Sequence, residues 1–87
     1  MGQFVPVNVP LTPGDSKWDD DELMIVALYV APGDHVKANE PLAEVETTKI
    51  TLVIDSPLAG MIKKVTVNLH DMVVPGETLM TIDAARA

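Results

Sequence analysis

The feature that most constrains this chain is an internal repeat without gaps: a shift of 37 positions lays Ile25–Glu46 over Ile62–Asp83. Ile25, Val30, Asp34, Val36, Glu40 and Leu42 fall on the identical residues Ile62, Val67, Asp71, Val73, Glu77 and Leu79. In a chain of 87 residues such a repeat leaves room for one domain made of two similar halves. Neither half can bury its own apolar face, so the two must cover each other.

The halves read as β-structure. Ile25, Leu28, Val30 and their mates Ile62, Val65, Val67 step by three and then by two. A step of three inside a two-residue period predicts a β-bulge, with the exposed pair Lys63-Lys64 lying within it. Each strand runs into a turn, Ala31–Asp34 or Asn68–Asp71, then a short valine segment and a second turn at Ala38–Glu40 or Pro75–Glu77. Asn39 and Gly76 tolerate positive φ and predict one turn geometry for both halves. One further extended segment precedes each repeat, Phe4–Val9 and Ile50–Asp55, and Pro6 with Pro10 assigns the first to a sheet edge. No stretch keeps a helical period with caps, and seven prolines argue against one. The expected fold is all-β, a flattened sandwich or barrel of two similar four-stranded halves.

Composition excludes several roles. Without cysteine there is no disulfide or thiolate metal site, and a reducing, cytoplasmic setting fits. A formal charge of −7 argues against nucleic-acid binding, and the longest apolar run, Leu23–Ala31, is too short for a transmembrane helix. One Phe, one Trp and one Tyr leave little material for a deep pocket. No Ser-His-Asp order, phosphate-binding loop or spaced metal ligands occur; His35 and His70 read as turn residues and the five methionines as core filler. A carrier or adaptor domain over 1–83, with 84–87 as a tail or the start of a linker, is expected in place of an enzyme.

At the junction of the halves stands Glu44-Val45-Glu46-Thr47-Thr48-Lys49-Ile50-Thr51, two strand-like runs separated by a tight hairpin with Thr48 and Lys49 at its centre. Neither central residue is Gly or Asn, so a type I turn is expected. Lysine at a hairpin tip is ordinarily a solubilising charge. Its flanks say more. Glu46-Thr47-Thr48-Lys49-Ile50 resembles the attachment motif of lipoyl domains from 2-oxo acid dehydrogenase complexes, within the biotinyl/lipoyl attachment family. Pro32-Gly33-Asp34, Pro41–Glu46 and Ser56-Pro57-Leu58-Ala59-Gly60 match the family pattern around it.

The resemblance implies a barrel-sandwich hybrid of two four-stranded sheets with pseudo-two-fold symmetry. It implies lipoate on Lys49 as a swinging arm, with Glu46, Thr47, Thr48 and Ile50 as its attachment motif. Implied partners are a lipoate ligase or lipoyl transferase and the catalytic subunits of a 2-oxo acid or acetoin dehydrogenase type of complex, the isolated domain being monomeric. Biotin, in a carboxylase or decarboxylase, is the alternative passenger, though biotinyl domains carry Met on both sides of their lysine. An unmodified hammerhead adaptor is the alternative from another class. Thr48, Ile50, Asn39 and His70 depart from the family pattern, and His70 predicts a reshaped turn.

The first half also carries a long polar insertion after its first strand, including Trp18, Asp19, Asp20, Asp21 and Glu22. By the resemblance this loop lies beside the lysine hairpin. Trp18 reads equally as an interface anchor or as a cap on the sandwich, and the acidic run as a partner-recognition element on a solvated loop.

Overall fold

The computed structural model describes residues 3–10, 22–47 and 50–86. They form eight strands, β1 (Phe4–Asn8), β2 (Leu23–Leu28), β3 (His35–Val36), β4 (Pro41–Glu46), β5 (Thr51–Asp55), β6 (Gly60–Val65), β7 (Met72–Val73) and β8 (Thr78–Asp83), followed by a single 3-10 turn, Ala84–Arg86. The strands make two antiparallel four-stranded sheets, ordered β1-β8-β6-β3 and β5-β4-β2-β7. The repeat maps each sheet onto the other.

The sequence halves are not the sheets. Each sheet takes two strands from either half, so the halves interlock. Backbone bonds at the bulges tie the halves together. The Gly33 and His70 amides donate to the carbonyls of Ile62 and Ile25 at 2.8 and 2.7 Å, and the Ile62 and Ile25 amides donate to Asp34 and Asp71 at 2.8 and 2.9 Å. Both bulges lie where the three-residue step places them, between Ile25 and Ala27 against β4 and between Ile62 and Lys64 against β8. Ile25 and Ile62, just before the bulges, are fully buried among Leu23, Leu42, Val45, Leu79, Met80 and Ile82, and the bulges return Leu28 and Val65 to pack, partly buried, against that core. Lys63 and Lys64 stay exposed. β1 is an outer strand, where Pro6 has no amide to leave unpaired.

The repeated carboxylates are turn elements. Asp34 and Asp71 accept the amides of Ala31 and Asn68 at 2.9 and 2.8 Å. Glu40 and Glu77 accept those of Lys37 and Val74 at 3.1 and 3.2 Å. Each satisfies an amide that the turn leaves without a ladder partner. Asn39 and Gly76 both have positive φ, 69° and 90°, as their shared turn requires.

Two expectations are corrected. The turn at His70 is not reshaped: His70 has φ 73° where its mate Gly33 has φ 96°, and the flanking hydrogen bonds are the same. The interlocking bonds hold this residue in a conformation that glycine takes at less cost. The methionines are not uniformly core filler either. Met80 is buried, but Met24 and Met61 are only half-buried and Met72 is 48% exposed, because they occupy outward positions of their strands. At the start of β2, Leu23 pairs with Val73 and is fully buried.

Candidate functional site

The hairpin between β4 and β5 is closed by short local bonds. Glu46 pairs with Thr51, the Thr47 amide donates to the Ile50 carbonyl at 2.8 Å, and the Ile50 amide donates to Thr47 Oγ1 at 3.1 Å. This bonding admits two residues between Thr47 and Ile50, the positions of Thr48 and Lys49, which lie outside the described residues, as do Trp18, Asp19, Asp20 and Asp21. The described flanks are open: Glu46 is exposed and Ile50 is 40% exposed. The β4–β5 ladder fixes the place of these exposed flanks.

The structure brings Glu22 beside Glu46 and Thr47, from which it is distant in sequence. Across β4, β2 and β7, Glu46 pairs with Met24 and Met24 with Met72. Glu22, Met24, Glu46, Thr47 and Met72 line an open depression of about 240 Å3 at the base of the hairpin. Met24 and Met72 were not legible as site residues. The available signal was their place in the repeat, opposite Met61 and His35 on outward positions.

A second feature absent from the sequence reading lies further along the same sheet. Tyr29, exposed, donates its hydroxyl to Glu44 Oε1 at 3.0 Å. That bond, with smaller contributions from desolvation and the carboxylate charge, raises the phenol above its ordinary value of 10.0. Tyr29, Glu40, Pro41 and Val53 border a shallow surface there. Among the described residues no three His, Cys, Asp or Glu side chains stand close enough to hold a metal ion.

With this geometry in view, comparison with known proteins is specific. The sequence profile described as "Biotin-requiring enzyme", of the biotin/lipoyl family, matches residues 7–82. A pyruvate carboxylase of Staphylococcus aureus is 39% identical over 61 residues, covering 70% of this chain and 5% of its own length. The dihydrolipoyllysine-residue acetyltransferase component of the pyruvate dehydrogenase complex of Cupriavidus necator is 32% identical over 69 residues, covering 79% of this chain and 12% of its own. The chain thus spans a small part of these relatives. The lipoyl domain of the 2-oxoglutarate dehydrogenase complex from Azotobacter vinelandii superposes with a TM-score of 0.65 at 21% identity, over 87% of this chain and 94% of that one, a likeness of fold.

Proposed function

Because the chain belongs to the biotinyl/lipoyl attachment family, which makes it a carrier domain, we propose that Lys49 bears lipoate and serves acyl and electron transfer in a complex of the 2-oxo acid or acetoin dehydrogenase type. The observation that carries this reading is the Thr47–Ile50 closure, which allots Thr48 and Lys49 to a two-residue connection beside the exposed Glu46. The open flanks suit a group that must leave the protein surface, and the ladder suits one that must be presented in a fixed place. Bound lipoate would supply the acyl and redox chemistry; the protein's part is to hold the lysine stem and offer a docking surface. Confining the group raises its effective concentration at successive catalytic sites. The implied partners are a lipoate ligase or lipoyl transferase and the catalytic subunits, with Trp18, Asp19, Asp20, Asp21 and Glu22 contributing to recognition.

Biotin is the second reading, favoured by the similarity to pyruvate carboxylase. Thr48 and Ile50, neither of them Met, support lipoate instead. Coexpression with a lipoate ligase should raise the intact mass by one lipoyl unit, and Lys49→Arg should abolish the gain. Coexpression with a biotin ligase should leave the protein negative on a streptavidin blot. A wild-type mass that stays unchanged while a control domain is lipoylated overturns the proposal.

A further inference from the structure

The pseudo-two-fold gives most surface positions of one sheet a counterpart on the other, so a difference between counterparts is not demanded by the fold. Thr51, Glu46, Met24 and Met72 form a row across the hairpin sheet. Their counterparts, Phe4, Asp83, Met61 and His35, form the same row on the other sheet. The two rows end differently. Asp83 is 7% exposed and its Oδ1 accepts the Ala85 amide at 3.1 Å, while the turn Ala84–Arg86 packs against β6. Glu46 is exposed, and its row opens into the depression that also includes Glu22 and Thr47. Among the described residues, neither the Glu22 nor the Glu46 carboxylate has a hydrogen-bond or ion-pair partner.

We propose that this depression receives a lysine or arginine side chain of the protein that acts on the hairpin, its alkyl stem lying over Met24 and Met72 and its cation between Glu22 and Glu46. The chemistry selects this occupant. Thioether side chains are adaptable and accept a methylene stem of variable course. A long basic side chain covers apolar surface while its charge stays at the wet rim, where the carboxylates stand. An anion is repelled by both glutamates. A wholly apolar group would strip water from them without replacing it. A bare metal ion would find two carboxylates and no third ligand among the described residues.

The inference rests on the carrier reading for the identity of the partner, but the depression itself needs no modification of Lys49. Its test is a titration of the whole chain, labelled with 13C at the methionine methyls, with the peptide acetyl-Ala-Arg-Ala-amide, read by NMR. The Met24 and Met72 methyls are expected to move saturably, while Met61, their symmetry counterpart, and buried Met80 stay fixed. The double variant Glu22→Gln/Glu46→Gln should weaken binding at least fivefold, and the norleucine analogue of the peptide should bind at least fivefold more weakly. Unmoved Met24 and Met72, an equal response at Met61, or an unchanged titration of the double variant overturns the proposal. Lys49→Arg should titrate like wild type, so this result and the lipoylation result can fail separately.

Discussion

The amide of Ala84 donates to the carbonyl of Gln3 at 2.8 Å, the counterpart of the bond from Thr47 to Ile50 that closes the hairpin. Asp83 pairs with Phe4 as Glu46 pairs with Thr51. The outer ends of β8 and β1 are therefore held in the pose of a second two-residue hairpin, at the place the pseudo-two-fold assigns to it.

A circular permutant should consequently fold. Joining Ala84 to Gln3 through Asn-Gly, with new ends between Gly14 and Asp15, is expected to keep the far-ultraviolet circular dichroism of the parent and a cooperative thermal transition. Asn-Gly suits a two-residue connection between antiparallel strands. A permutant without cooperative unfolding would show that the Gln3–Ala84 pose does not tolerate a hairpin.

His70→Gly should stabilise the domain by about 0.5–1 kcal/mol, the left-handed cost at a residue with a Cβ outweighing the entropy that glycine loses. Urea denaturation measures it. A neutral or destabilising result would mean that the His70 side chain contributes as much as its backbone costs.

Gly60→Ala should destabilise by about 1–3 kcal/mol, the usual range for overpacking. An added Cβ would meet Ile82 Cγ2 at 2.6 Å and the Asp83 carbonyl oxygen at 2.7 Å, and the second of these is backbone. The same denaturation series provides the check, and a loss smaller than that of Gly33→Ala would contradict it. Gly33 has open space around its Cβ position, so its penalty is conformational alone, from φ 96°.

The chain has one tyrosine, so absorbance at 295 nm can follow Tyr29 by itself. Its midpoint should lie above 10.0 in the wild type and fall toward that value in Glu44→Ala, which removes the acceptor and the charge together. The raised value means that the folded domain holds the phenolic proton more tightly than the unfolded chain does. The associated stability is present below pH 10 and is lost as pH rises through the folded midpoint. The exposed position makes the contribution small.

Local chemistry was legible in the sequence and relations between distant segments were not. The repeat located both bulges, because a three-residue step in an alternating strand is visible in a single segment. It also located two of the turn positions with positive φ, Asn39 and Gly76, whereas His70 was misjudged, since its conformation is held by the bond to Ile25 in the other half. Within the candidate site, Glu46 and Thr47 were readable as neighbours of Lys49. The approach of Glu22, Met24 and Met72 to them was not, because it depends on the register of β2 against both β4 and β7.

By itself the sequence determined two equivalent β-halves, the turn residues that shape them and a lysine at their junction. These follow from bonds that span three residues or fewer, as in Asp34 to Ala31 or Thr47 to Ile50. Only the tertiary structure decided that the halves exchange strands between two sheets, and that Met24, Met72, Glu22 and Glu46 share one depression. The physical reason is that sheet order and register are fixed by backbone bonds between remote segments, chosen to bury Ile25, Ile62, Leu42 and Leu79 together, and one half read alone contains only one partner of each bond that joins it to the other.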